Sequence, residues 1–205
     1  MIILFNGPPR AGKDAAADFF KEKGFKHLSF KYQLYKETAK YFNVDYNWFM
    51  EGYNNRGIKE SPSQHLGGFS RREAMIYVSE EKIKPRLGLD YFGQQVANEI
   101  DTSKNYCISD GGFVDELLPV INKIGSDNFV LVQLTRDGCD FSSDSRRYFN
   151  GSDLVWQYIN GYETPIENQY VLPHKFHVRT YRIHNNGSLI DFNNVLKEIY
   201  MKEMK

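Results

Sequence analysis

Eight residues near the start of the chain carry its clearest chemistry. Gly7-Pro8-Pro9-Arg10-Ala11-Gly12-Lys13-Asp14 satisfies the phosphate-binding pattern G-x-x-x-x-G-K over its first seven positions, with Asp at the eighth where Ser or Thr is usual. Successive backbone N–H groups in such a loop turn inward as a nest for an anion, and a helix opening near Gly12 adds its positive end. Gly7 and Gly12 let the backbone wrap a phosphate without side-chain bulk. Lys13 then reaches the β- and γ-phosphates of a nucleoside triphosphate, and Gly7, Arg10, Ala11, Gly12, Lys13, Asp14 and Ala15 are the candidate contacts to it. Asp14 is a hard oxygen donor able to hold Mg²⁺ directly or through water. An acid in a first helical turn is also favoured by the helix dipole, and both roles can hold.

Phosphoryl transfer asks mainly for positioning and charge neutralisation, so cations, metal ligands and an acceptor pocket are what to look for. Asp110 ends a predicted strand, where it can hold Mg²⁺ through water, orient an acceptor or cap the helix that follows. Glu116, on that helix, faces the same cleft or solvent. Arg72, or its neighbour Arg71, stands in the first turn of a helix, a poor place for a cation unless a phosphate partners it; Arg86 is a second candidate. Arg136 follows a strand, and Arg146 and Arg147 lie in a polar segment that either closes over the triphosphate and excludes water or is simply solvated. Gln94 and Gln95 can read a base edge or sit on a helix surface. The histidines are scattered, and His174 and His177 lack the companions a zinc site needs.

These residues need a scaffold, and the chain supplies an alternating one. Residues 1–6 form an apolar run that reads as a buried strand, followed after the loop by a helix that Gly24 ends. A short strand over 25–30 precedes an amphipathic helix over 33–42. From 43 to 68 the composition turns to Asn, Gly, Ser and Tyr, an irregular or partly helical excursion that is a lid or a long surface loop. Ser70 and Glu73 form a capping box for a helix running toward Lys82, which Pro85 interrupts. Helices over 90–100 and 113–124, the second bent or split by Pro119, bracket a strand over 105–109. Residues 129–134 give the strongest strand signal, a continuous apolar run of the parallel-sheet kind. A strand over 176–184, a turn at Asn185-Asn186-Gly187 and a helix over 189–204 close the chain. The expectation is an α/β fold: one domain over 1–205 of P-loop NTPase type, a doubly wound parallel sheet with helices on both faces. An acceptor-side excursion at 43–100 and a lid at about 136–175 are its inserted segments, and the ligand sits at the C-terminal ends of the strands.

Composition removes other classes. Lys+Arg and Asp+Glu both total 26, so no net field argues for nucleic acid or an anionic membrane as partner. Cys107 and Cys139 form neither a metal motif nor a disulfide framework, which fits a reducing cytoplasm. The apolar start is too short for a signal sequence or a membrane span. No N-K-x-D signal for guanine is present, and monomer and homodimer both stay open.

Asn6-Gly7-Pro8-Pro9-Arg10-Ala11-Gly12-Lys13-Asp14-Ala15-Ala16-Ala17-Asp18-Phe19 resembles the start of bacteriophage deoxynucleoside monophosphate kinases, which carry this GKD loop. Lys31-Tyr32-Gln33-Leu34, Ser70-Arg71-Arg72-Glu73-Ala74, the stretch from Asp90-Tyr91-Phe92 to Ile100, Ser109-Asp110 through Glu116, and Asn185-Asn186-Gly187-Ser188-Leu189 are similar to later motifs of that family, in the same order. The resemblance implies transfer of the γ-phosphate of ATP to a deoxynucleoside 5′-monophosphate in the cytoplasm, the host's if the chain is viral. It implies that Lys13 and the loop amides hold the donor, with Mg²⁺ assisted by Asp14 and with Asn186 and Gly187 beside the donor base. Lys31, Arg72 and Arg86 would hold the acceptor phosphate, and Arg136, Arg146 and Arg147 would close over the transferring group. No general base is needed, because the acceptor phosphate is already anionic.

Two positions depart from the family pattern. Gly112 stands where it has Arg, and Ala15 where it has Thr. The segment 138–174 is also longer than a minimal lid needs. The GKD loop occurs in animal phosphomevalonate kinases as well, so a different small phosphorylated metabolite is the rival acceptor. A nucleotide-binding module without turnover is the rival of another class.

Overall fold

The computed structural model describes residues 1–142, 146–150, 153–156, 170–171 and 178–205. In chain order the first half comprises β1 (Ile2–Asn6), α1 (Lys13–Glu22), β2 (Lys26–Leu28), α2 (Lys31–Tyr41), α3 (Tyr46–Asn54), α4 (Arg56–Lys59), α5 (Arg71–Tyr77), α6 (Lys84–Leu87) and α7 (Tyr91–Glu99). The second half comprises β3 (Tyr106–Ile108), α8 (Val114–Ile124), β4 (Phe129–Thr135), β5 (Phe149–Asn150), β6 (Asp153–Trp156), β7 (Tyr170–Val171), β8 (Arg179–His184) and α9 (Leu189–Glu203).

The strands line up as β2-β3-β1-β4-β8, all parallel, with β6 extending the β8 edge in the same sense. β5 and β7 make a separate parallel pair. Parallel neighbours need crossovers, and the helices that make them cover both faces. Alternation along the strands sorts the core in two. Ile2, Leu4, Phe129 and Leu131 point to α7 and α8, meeting Val96, Ile100, Leu117 and Ile121. Ile3, Phe5, Val130, Val132 and Leu134 point the other way, meeting Ala16, Phe20, Phe192 and Leu196 of α1 and α9. Phe20 is the hub there, with its ring centroid 5.6 Å from that of Phe5 and 5.1 Å from that of Phe25. Truncating a buried Phe of this kind to Ala costs about 3–5 kcal/mol.

A third cluster, Tyr35, Ala39, Phe49, Leu66, Ala74 and Met75, packs α2, α3 and α5 together beside the sheet. The excursion after residue 43 is therefore largely helical: Asp45 caps α3 by accepting from Trp48 N, and Asn55 caps α4. The capping box at Ser70 and Glu73 is present as the sequence implies.

The two prolines sit differently in their helices. Between α5 and α6 the chain winds through a π-helical turn, Val78–Ile83, and Pro85 lies at the start of α6. The wide turn removes the register in which a proline ring collides with the carbonyl four residues back. Pro119 sits inside an unbroken α8. The carbonyl it leaves without a donor belongs to exposed Asp115, where water can serve it. Residues 176–177 of the expected last strand, His174 and His177, and most of the segment 143–177 lie outside the described residues.

Among the described residues no helix is long and apolar enough to cross a membrane.

Candidate functional site

The glycine loop leaves the C-terminal end of β1, the central strand of the sheet. Gly7 passes against β4, where a Cβ would stand 2.5 Å from the Leu134 carbonyl oxygen. Ala11 N–H closes the turn on Pro8 O at 3.3 Å. Arg10, exposed at φ 67°, and Gly12, at φ 107°, both adopt left-handed backbone. At Gly12 the glycine is needed twice, because a Cβ would also meet Asn185 Nδ2 at 2.5 Å. That amide, buried at the exit of β8, donates to Ala11 O at 2.9 Å and straps the loop from behind. Ala11 is wholly buried in the core beneath, so it contributes backbone to the loop surface.

Lys13 Nζ donates to Gly7 O and Pro8 O, both at 2.7 Å, so its ammonium lies within the loop. Asp14 is exposed in the first turn of α1, and Ala15 is half-buried behind it. The N-cap of α1 is Gly12, which makes no side-chain capping bond. A helix leaves its first N–H groups without intrahelical partners, and α3, α5 and α9 satisfy theirs with Asp45, Ser70 and Ser188. Those of α1 face the loop. Strand order, loop position and lysine together make this a P-loop NTPase-type doubly wound sheet.

A second helix opens on the same edge of the sheet. Asp110, just past β3, caps α2: its Oδ2 accepts from Ser29 Oγ at 2.5 Å and from Lys31 N at 3.2 Å, and its Oδ1 from Phe30 N at 3.3 Å. This extra cap explains why α2 begins at Lys31, two residues before the apolar pattern. Asp110 thus serves α2, the helix packed beside its strand, rather than α8, the next in sequence. Behind it Ser109 Oγ meets His27 Nε2 at 3.1 Å, and His27 Nδ1 meets Tyr32 OH at 2.8 Å.

Lys31 is half-buried and faces a wall that the sequence reading did not single out. Burial pushes the Tyr53 phenol up, but the charges of Lys31 and Lys59, with hydrogen bonds from Tyr35 and Lys59, outweigh it and the net direction is down. Lys59 Nζ lies 4.1 Å above the Tyr53 ring, which packs on Tyr35 at 4.9 Å. Lys59 over the ring and Lys31 within electrostatic reach of the phenol make a basic, aromatic corner beside α2. Lys59 follows Tyr53 across the turn between α3 and α4, off any helical i, i+3 or i, i+4 spacing that would signal it.

Under the same corner lies Glu116, neither a surface charge nor open to the cleft. Burial, opposed by Lys84 and reinforced by Asp110 and Glu80, pushes its carboxyl up to about 8. Lys84, itself buried, pairs with Glu80 at 2.7 Å and stands 4.4 Å above the Phe113 ring.

A third component arrives from the far side of β4. Asn6, Gln133 and Arg182 sit in register on β1, β4 and β8, all buried on the α8 face. Arg182 Nε donates to Gln133 Oε1 at 2.9 Å, and Gln133 Nε2 donates to Phe149 O. Asn6 Nδ2 donates to Arg147 O at 3.1 Å and its Oδ1 accepts from Phe149 N at 2.9 Å. The backbone of 147–149 is thereby fixed beside the root of the glycine loop. Arg146 is half-buried, its aliphatic stem against Gly112; Arg147 and Arg136 are exposed.

The remaining candidates are spread out. Arg72 is exposed, 3.9 Å from Glu60. Its neighbour Arg71 is buried, donating to Phe49 O at 3.1 Å and Trp48 O at 3.4 Å with its guanidinium 4.2 Å over the Trp48 ring, and so ties α5 to α3. Arg86 is exposed, Gln94 bonds Asp90 at 2.8 Å on its own helix, and Gln95 is half-buried. Asn186 joins the exits of β4 and β8, accepting from Asp137 N at 2.9 Å and meeting His184 Nε2 at 2.7 Å, while Gly187 rests on Asp191.

Among the described residues no three His, Cys, Asp or Glu side chains gather in one place. Mg²⁺ in phosphoryl-transfer enzymes takes one or two carboxylates and fills its octahedron with phosphate oxygens and water, and Asp14 can supply one carboxylate.

No family model and no curated protein matches the chain. Among solved structures it is similar to a protein of Chloroflexus aurantiacus J-10-fl with the provisional designation of kinase, at 8% identity and a TM-score of 0.43, over 98% of this chain and 96% of that one. That likeness is too loose to carry an argument about activity.

Proposed function

We propose that the protein is a P-loop kinase that moves the γ-phosphate of ATP onto a (deoxy)nucleoside 5′-monophosphate. The observation that carries this reading is the start of α1, which has no side-chain cap, lies at the C-terminal end of the central strand and holds Lys13 inside its loop. Main-chain amides and one lysine at such a point suit a triphosphate better than any neutral ligand. On binding, Lys13 exchanges the carbonyls of Gly7 and Pro8 for phosphate oxygens.

Mg²⁺, when bound, neutralises charge on the β- and γ-phosphates. Asp14 is the residue suited to hold it, since the oxygens of Asp110 already receive one hydroxyl and two amides. The acceptor belongs on the wall formed by Lys31, Lys59 and Tyr53, whose two ammonium groups attract a monophosphate. Arg72 and Arg86, exposed on α5 and α6, are the remaining acceptor-side cations, and Asn186 and Gly187 lie at the donor-base side. The acceptor phosphate carries its own negative charge, so the chain has to align and shield rather than remove a proton.

The test is ADP release, measured with ATP, Mg²⁺ and a panel of deoxy- and ribonucleoside monophosphates. At least one monophosphate should raise ADP production above the rate with ATP alone, and Lys13→Ala should remove that increment. Turnover that survives Lys13→Ala would defeat the reading.

A further inference from the structure

We propose that Arg146 is the arginine that contacts the transferring phosphoryl group, and that position 112 is glycine so that its stem can cross there. This rests on the kinase reading above. A Cβ built on Gly112 would lie 2.1 Å from Arg146 Cδ, 2.3 Å from Cγ and 2.7 Å from Cβ. Three consecutive carbons of one stem therefore occupy the volume that any side chain at 112 would need. Gly112 is absent from the positive-φ glycines, so backbone conformation does not require it. Space does.

Both ends of this crossing are placed. The backbone following Arg146 is pinned to Asn6, the residue immediately before the glycine loop, by the bonds to Arg147 O and Phe149 N. At the other end Gly112 lies two residues beyond Asp110, which holds the start of α2 where Lys31 stands. Gly111 is packed on Leu4 of β1, where a Cβ would meet Leu4 Cδ1 at 2.6 Å, so the strand-end backbone has no room to retreat. The stem thus runs beside the root of the glycine loop and the Asp110 corner of α2, and on the kinase reading the transferred group passes there. A guanidinium is suited to that place because its planar donors can bridge two phosphate oxygens and it stays charged. Arg147 lends the Asn6 clamp its carbonyl and keeps an exposed side chain, and Arg136 is likewise exposed, so neither shares this placement.

The test is a double-mutant cycle on Gly112→Ala and Arg146→Ala, using the monophosphate that proves active. Arg146→Ala should lower kcat about 100-fold with little change in KM for ATP, and Arg146→Lys should recover only a minor part. Gly112→Ala should lower kcat in the wild-type background by displacing the stem, and should have no further effect once Arg146 is Ala. A kcat for Arg146→Ala within about threefold of wild type, or independent effects of the two substitutions, overturns the inference while leaving an active kinase. If Gly112→Ala proves too unstable to assay, as melting curves would show, the contrast between Arg146→Ala and Arg146→Lys decides alone. A wild-type chain that transfers phosphate to no monophosphate at all fails the kinase reading itself, and this assignment falls with it.

Discussion

Two helices open on the same edge of the sheet, and they open differently. α1 starts at a glycine with no side-chain cap and a lysine folded into the loop before it. α2 starts under Asp110, whose two oxygens receive Phe30 N, Lys31 N and the Ser29 hydroxyl. The backbone chemistry of the two starts is the same: unpaired N–H groups at the positive end of a helix. At α2 the anion is built into the protein, and the helix start is structural. At α1 no side chain caps the helix, and on the proposed reading the anion comes from outside and the helix start is a binding site. A carboxylate near a helix N-terminus is thus informative only when its bonds are traced.

The largest effect is expected from removing the cation at α1. Lys13→Ala should lower kcat by about 1000-fold in the ADP-release assay without reducing thermal stability. Gly12→Ala attacks the same start through the backbone. A left-handed φ and the collision with Asn185 should cost about 3 kcal/mol in urea unfolding and abolish ATP binding in calorimetry.

At the α2 corner the sharpest probe is pH. Glu116 has a folded pKa raised to about 8 from the ordinary 4.5. Below about pH 4.5 both states hold the proton; between there and about pH 8 the unfolded chain has released it while the fold has not. Stability should therefore fall across that window and level off above it. Glu116→Gln should remove the slope, leaving the variant more stable than wild type by a few kcal/mol at pH 8 in urea unfolding.

Asp110→Ala should cost about 2 kcal/mol, by leaving two amides and a hydroxyl short of an acceptor, and should leave ATP affinity in calorimetry close to wild type. An affinity loss matching that of Lys13→Ala would erase the distinction between the two helix starts. The smallest effect is reserved for a control: Ser188→Ala removes the capping box of α9, and should lower stability by about 1 kcal/mol without touching turnover.

How much of this was legible in the chain follows from how local each signal is. Residues 129–134 read as a buried strand because a parallel strand covered on both faces needs apolar side chains throughout, and the loop at Gly7–Asp14 read as a phosphate nest because its spacing is contiguous. Ser70 and Glu73 likewise sit three apart and cap their own helix. The Asn6–Gln133–Arg182 layer could not be read, since its members lie on three strands and meet only once β1, β4 and β8 are in register. Arg146 crossing Gly112 is non-local in the same way. Pro119 fails to split α8 for the opposite reason: the local rule is relaxed where the carbonyl four residues back is exposed.

Backbone amide signals in a ¹⁵N–¹H spectrum titrated with ATP and Mg²⁺ test the central claim most directly. The account predicts the largest shifts at Gly12, Lys13 and Asp14, with the amides of Phe30 and Lys31 nearly unmoved because Asp110 already holds them. Saturating ATP that leaves residues 7–14 unchanged, or that moves Phe30 and Lys31 most, would contradict it.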